Sequence, residues 1–448
     1  MAIRTIDRRT LLRWAGTGVL AGAGASALSA CAPPRRVATE PKPPPPAGER
    51  VELDFWTWLP CKPSVELWNR QNPDIQVRLR VITAGPEGGY QSMFSALEAG
   101  TGPDLAQVEY EQLPAFLLEQ GLENLSLYDV EQYKDDFIDW QWEMCSSGGQ
   151  VYAIPQASGP MAFYYRHDLF DEWGIDVPTT WDEYRDAARA VREAAPGVRM
   201  ETFSPIGAQW MMALAHQAGA HWVRTDGDTW VLDMVDATTR KVLEFWAGMI
   251  EDDLVDLAPI STASWFKQLQ TGDAPTLLGA SWYDAIIKGN APDTEGSWRV
   301  ARMPQWEAGA KTSANWGGSA TAVLRSCEYP REAAAFAHWL NTDPESIDLL
   351  VKAGYGWPAA VGGFDGSLLE EPDPFFDGQV YNEVFAEADR NIDTSQRFPP
   401  TTLQMYSNIN DAVAAAVAEG TSLVGAYERA ARLSGDDLRA KGLDVREA

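Results

Sequence analysis

The sequence predicts an α/β fold with room for two domains. Two observations carry that expectation. Short segments rich in branched and aromatic residues alternate with segments whose apolar residues recur at helical spacing, the pattern of a sheet with helices on both faces. The 418 residues that follow residue 30 of this 448-residue chain are too many for one simple core and enough for two.

The elements follow in order. Residues 51–58 (VELDFWTW) alternate and form a strand. Residues 63–71 are helical, carrying Val65, Leu67 and Trp68. Beyond Asn72-Pro73-Asp74, residues 75–82 make a second strand, 90–99 a helix, 100–104 a turn, 105–108 a short buried strand and 112–119 another helix. Residues 151–155 and 161–165 are two strand-like pieces separated by 156–160. Thr180 is the expected N-cap of the next helix, with Glu183 completing a capping box and Tyr184, Ala187, Ala188 and Val191 forming the buried stripe. Residues 237–251 and 329–340 are amphipathic helices, and 408–418 and 422–433 close the chain with helical periodicity. Turns are expected at Pro372-Asp373-Pro374 and Phe398-Pro399-Pro400.

Residues 1–30 have the features of an export signal. Arg4, Arg8, Arg9 and Arg13 make a basic start, and the Gly/Ala-rich run 14–30 is too short and too mildly apolar for a permanent membrane helix. Residues 7–13 (DRRTLLR) resemble a twin-arginine export signal, departing from it at Asp7 and Leu11. Leu28-Ser29-Ala30-Cys31 resembles a lipoprotein box, which implies an acylated Cys31 anchoring the chain to the extracytoplasmic face of the cell membrane. Residues 31–50, with Pro33, Pro34, Pro41 and Pro43 to Pro46, then form a tether. Proline fixes φ and lacks an N–H, so such a run stays extended and packs no core.

A net charge of −28 repels nucleic acid and anionic headgroups, so no nucleic-acid partner is expected. With Cys31 acylated, at most one disulfide can form among Cys61, Cys145 and Cys327. His167, His216, His221 and His338 are scattered. The five-residue spacing of His216 and His221 does not put both on one helix face, so no metal site is expected. No nucleophile elbow, zinc motif or P-loop occurs, and no cofactor is expected.

Four segments, in order, carry a family resemblance. They are Phe55-Trp56-Thr57-Trp58 with the strand 75–81; residues 99–106 (AGTGPDLA); residues 151–155 (VYAIP) leading to 165–170 (YRHDLF) and 178–183 (PTTWDE); and Gly317-Gly318-Ser319 with helix 330–340 and residues 342–345 (TDPE). Together they resemble the type-II extracellular solute-binding proteins, which include maltose- and cellobiose-binding components of ABC importers. The resemblance implies a two-lobe type-II periplasmic-binding-protein fold, each lobe a mixed sheet flanked by helices, with the cleft between them. Lobe 1 would be residues 51–157 plus 318–356, and lobe 2 residues 158–317 plus 357–448. Chain crossings would fall near 156–160, 317–322 and 354–361, where Gly and Pro suit hinges. It also implies a monomer that captures a sugar or oligosaccharide without altering it and delivers it to ABC permease subunits.

A sugar has an apolar C–H face and a rim of hydroxyls, so its site needs flat aromatic platforms and well-aimed polar groups. Nineteen Trp residues exceed what packing alone asks for. Those at strand ends or beside glycines are the candidates: Trp58, Trp282, Trp316 and Trp357, with Tyr110 and Tyr283, and Gly318 beside Trp316. Trp68, Trp173, Trp246 and Trp339, inside amphipathic helices, are expected in the core. The polar candidates are Glu109, Glu111, Gln156, Ser158 and Asp284, with Tyr406 or Asn408 closing the cleft from the second lobe. A carboxylate can accept two hydroxyls in charge-assisted bonds. Other solutes (polyamine, peptide, glycerol phosphodiester) and a secreted glycoside hydrolase are the alternatives. Only Lys62 and Arg302 are basic near these loops, which weighs against a phosphate ligand.

Overall fold

The first strands pair as their alternation predicts. In the computed structural model, which describes residues 40–362 and 368–447, β1 (Val51–Thr57) lies parallel to both β2 (Ile75–Val81) and β3 (Leu105–Glu109). Adding β4 (Ala153–Arg166), β5 (Thr276–Ala280), β6 (Trp298–Ala301), β7 (Asn315–Val323) and β8 (Trp357–Pro358) gives an eight-stranded mixed sheet. Its order is β5-β4-β7-β3-β1-β2, with β6 and β8 also paired to β4.

Successive strand residues face opposite ways, and both faces are covered. Leu105 and Val323 join Val51, Leu53 and Phe55 against Trp68 and Phe336, from helices Lys62–Gln71 and Pro330–Thr342. Ala106, Val108, Ala320 and Ala322 face the other way, against Tyr90, Met93 and Phe116 of helices Gly89–Ala99 and Leu113–Leu118. A third and larger cluster surrounds β5, β6 and the second half of β4, with Trp181, Trp222, Trp246, Trp265 and Trp298 fully buried in it.

The sequence divided residues 151–165 into two pieces, whereas the structure runs Ala153–Arg166 as one strand of 14 residues, all buried. Pro160 is tolerated because the partner is irregular there. The β4–β7 register shifts between Asn315 and Gly318, and Gly159 N donates instead to Asn315 Oδ1 at 2.9 Å. The capping box forms as expected, with Thr180 Oγ1 accepting from Glu183 N at 3.2 Å and Tyr184, Ala187, Ala188 and Val191 buried. The last two helices are longer than their periodicity suggested, Thr402–Glu419 and Leu423–Ala440, because buried Met405, Tyr406 and Leu438 extend their apolar stripes.

Cys61, Cys145 and Cys327 are buried free thiols. Cys31 and residues 1–30, the expected export signal, lie outside the described residues. The described end of the tether is not a free stalk. Lys42 Nζ donates to the buried Glu123 carboxylate at 2.8 Å and to the Arg325 and Cys327 carbonyls, and its backbone N–H donates to Tyr128 Oη at 3.0 Å. A polyproline run has no internal hydrogen bonds, so its anchoring comes from contacts with the domain: those of Lys42, and Glu49 accepting from the Tyr329 hydroxyl at 3.4 Å.

Candidate functional site

In an open α/β sheet, ligands bind beyond the carboxyl ends of the parallel strands. Here β3 ends at Glu109, and the chain turns at once through the short 3-10 turn Tyr110–Gln112 into helix Leu113–Leu118. The turn presents Tyr110 and Glu111 to a recess of about 440 Å³ of empty space, part of it open to solvent. Gln209, Met212, Ala213 and His216 line the facing wall. Their spacing puts them on one face of helix Ala208–Gln217. Trp140 and Met144, four residues apart on helix Asp139–Met144, contribute a second wall. Asn315, Trp316 and Gly317 enter from the start of β7, Gln396 and Phe398 from the chain leading into helix Thr402–Glu419, and Tyr406 from that helix itself.

Glu111 is the polar centre of the recess. Only 5% exposed, it accepts from Gln209 Nε2 at 2.6 Å and from the Tyr406 hydroxyl at 2.7 Å. Glu109 accepts from the Tyr90 hydroxyl at 2.9 Å. Both carboxyl groups have pKa values raised above the usual range. Burial is the main cause in each, followed for Glu109 by the neighbouring charge of Glu111. The aromatic walls are braced from behind. Tyr110 meets Trp140 edge-on at 5.9 Å, and its hydroxyl donates to Gln141 Oε1 at 2.9 Å. Trp316 packs at 5.2 Å against Trp282, whose Nε1–H donates to the Trp316 carbonyl at 3.2 Å. Gly318, at φ +95°, allows a close approach: a Cβ there would lie 2.9 Å from the Ala157 carbonyl oxygen and 3.1 Å from the Tyr110 ring.

Of the residues expected at a site, Tyr110, Glu111, Trp316 and Tyr406 line the recess together. Glu109, Trp282 and Gly318 stand directly behind them. The rest have other partners. Gln156 lies inside the sheet, donating to Ser319 Oγ and accepting from Thr321. Ser158 donates to Asp389 Oδ1 at 2.9 Å, a carboxyl whose pKa burial raises to about 6. Tyr283 is 1% exposed in the large core. Asp284 accepts from Tyr381 and pairs with Lys288. Asn408 points to Asp437 and Ser434, tying the two last helices together. Trp58 stacks edge-on against Tyr90 at 6.0 Å, and Trp357 pairs with Ser158 through β8. Neither lines the recess. Trp140, Gln209, Met212 and Gln396 were missed. The available signal was that Gln209 and His216, seven residues apart, share one face of a helix whose remaining residues except Gln217 are apolar.

The helix-spacing argument that separated His216 from His221 does not apply in the fold. Helix Ala208–Gln217 ends before His221, and the chain turns back through Gly219 at φ +96°. Helix spacing therefore does not govern the pair. His216 Nε2 and His221 Nε2 lie 4.0 and 3.5 Å from the same Asp393 Oδ2.

The sequence profile of the bacterial extracellular solute-binding proteins matches residues 62–346. This chain belongs to that family. Among its relatives, the arabinooligosaccharide-binding protein of Halalkalibacterium halodurans is 26% identical over 378 residues, 80% of this chain and 84% of that one. The lactose-binding protein of Rhizobium radiobacter is 23% identical over 353 residues, 75% of this chain and 81% of that one. The galacto-N-biose/lacto-N-biose I-binding protein of a Bifidobacterium longum ABC transporter, solved with lacto-N-biose, superposes with a TM-score of 0.81 at 27% identity. That match covers 90% of this chain and all of the other. A binding protein from B. animalis subsp. lactis, solved with β-1,6-galactobiose, gives a TM-score of 0.78 at 26% identity, covering 89% of this chain and 100% of that one. This solute-binding protein therefore has the two-lobe periplasmic-binding-protein fold, a mixed α/β architecture. Among its described residues, no helix is long and apolar enough to cross a membrane.

Proposed function

We propose that this solute-binding protein captures a sugar or oligosaccharide by closing two lobes around it, and delivers it unaltered to an ABC permease. The observation that carries the reading is the recess itself. Aromatic faces from Tyr110, Trp140, Trp316 and Tyr406 meet the polar groups of Glu111, Gln209, Asn315 and Gln396 in one concavity, which is the combination a sugar's two-natured surface requires. The relatives that bind arabinooligosaccharides, lactose and lacto-N-biose support the same class.

In this reading lobe 1 is residues 51–157 plus 318–356, and lobe 2 is 158–317 plus 357–448. The three crossings meet at one point, since Ser158 of β4 is the register partner of Gly318 on β7 and of Trp357 on β8. A joint that narrow lets the lobes turn as bodies. Glu111 on one side and Gln209 and Tyr406 on the other then bond across the cleft only when it closes. A ligand shifts the equilibrium toward closure by its differential affinity for that state. The protein works as a monomer held outside the membrane by an acylated Cys31, reached through twin-arginine export.

A thermal-shift and calorimetric panel tests the reading. It contains arabinooligosaccharides, lactose, lacto-N-biose and β-1,6-galactobiose, set against polyamines, peptides and glycerol phosphodiesters. Binding raises apparent stability by RT ln(1 + [L]/Kd), so one of the sugars should raise Tm without being consumed. Binding of a non-sugar alone, or turnover of an oligosaccharide, would overturn the proposal. Cys31→Ser should release the protein from the membrane fraction, and membrane retention would sink the anchor.

A further inference from the structure

At the edge of the recess, three potential ligand groups converge from separate parts of the chain. His216 ends the lining face of helix Ala208–Gln217, His221 follows the Gly219 turn, and Asp393 lies on the segment leading to Gln396 and Phe398. One ligand atom from each lies within 4.8 Å of the others. His216 is 6% exposed, yet its Nε2 has no hydrogen-bond partner. A buried polar atom left unpaired is costly. Its nearest acidic oxygen, Asp393 Oδ2, is 4.0 Å away, too far for a hydrogen bond.

We propose that His216, His221 and Asp393 bind one divalent transition-metal ion of the zinc class, pinning the 391–397 segment to the end of helix Ala208–Gln217 beside the recess. Two imidazoles and a carboxylate make a borderline-soft N/O set suited to zinc. Metal–ligand bonds of about 2.0–2.1 Å in tetrahedral geometry place ligand atoms about 3.3 Å apart. The two Nε2–Oδ2 separations, 4.0 and 3.5 Å, would contract by about 0.7 and 0.2 Å, and the His216–His221 separation, within 4.8 Å, by up to about 1.5 Å. The means is at hand, because the side chains of His221 and Asp393 are 40% and 43% exposed. The supporting shell is also present. His221 Nδ1 lies 3.2 Å from Ser395 Oγ, and if Nδ1–H donates there, Nε2 keeps its lone pair for the ion. Three protein ligands leave a position for water at the recess edge.

The test uses untagged, chelator-treated full-length protein with metal ions as the only probes. Titration with Zn²⁺ should show one site by calorimetry, and Co²⁺ should give the visible bands of a four-coordinate complex. His221→Ala and Asp393→Asn alter partly exposed side chains, so both variants should fold. Each should weaken Zn²⁺ binding by about tenfold or more and abolish the Co²⁺ bands. His338→Ala, beside Asp136 in another cluster, should bind as wild type does. Absence of a stoichiometric site in the wild type, or wild-type affinity in both His221→Ala and Asp393→Asn, would overturn the proposal. Neither readout involves a sugar, so failure here leaves the sugar reading untouched, and failure of the sugar panel leaves this one.

Discussion

Removing one hydroxyl tests whether bonds across the recess hold the closed form. In Tyr406→Phe, Glu111 loses the 2.7 Å bond from Tyr406 and keeps the 2.6 Å bond from Gln209. A hydrogen bond to a charged group is worth about 1.5–3 kcal/mol, and to a neutral one about 1 kcal/mol. Burial raises the pKa of the Glu111 carboxyl, so the loss falls between about 1 and 3 kcal/mol. If the bond forms only on closure, the whole loss appears in the sugar Kd, as a weakening of roughly 5- to 150-fold. Calorimetry against the sugar identified by the panel gives Kd, and urea unfolding of the sugar-free protein gives stability. Asn408→Ala is the control, because Asn408 bonds only within the pair of C-terminal helices. It should lower stability by about 1 kcal/mol and leave Kd unchanged. The reasoning fails if Tyr406→Phe leaves Kd alone and destabilises the sugar-free protein, since the bond would then belong to the standing fold.

Three further outcomes are expected. Glu201, 1% exposed, accepts from the Leu278 and Thr202 backbone N–H groups, and burial raises its pKa to about 8. The folded state therefore holds this proton more tightly than the unfolded chain. Its stabilising effect is complete below about pH 4.3 and is lost as pH rises toward 8, at up to about 1.4 kcal/mol per pH unit. Glu201→Gln should remove that slope from urea unfolding measured between pH 5 and 8, and parallel curves for variant and wild type would refute it. Gly318→Ala forces a side chain into φ +95° with its Cβ against the Ala157 carbonyl. It should cost about 1–3 kcal/mol of stability, and an unchanged urea midpoint would show that the backbone there relaxes freely. Lys42→Ala leaves the buried Glu123 carboxylate with Tyr128 as its remaining side-chain partner, which should destabilise by about 1–3 kcal/mol. No change would mean that the proline segment does not hold to the domain.

Features that depend on neighbours a few residues away are legible in the sequence. Strands 51–57 and 75–81, the Thr180–Glu183 capping box and helix Ala237–Glu251 follow from periodicity and local hydrogen bonding, and the structure has them where these signals fall. The ordered motifs were enough for the family and its fold. Which aromatic or acid faces the recess was not legible, because a strand or helix pattern says which residues share a face but not what that face meets. Tyr283 and Trp316 look alike beside their turns and share one buried cluster, yet of the two Trp316 alone also lines the recess. Glu111 and Tyr406 lie 295 residues apart, and no local rule relates them. Helix spacing separates His216 from His221, yet the two meet beside Asp393 because the helix stops at Gln217 and the chain turns at Gly219. Tertiary structure alone decided these meetings, since each depends on distant segments packing together, and that packing is a property of the whole chain.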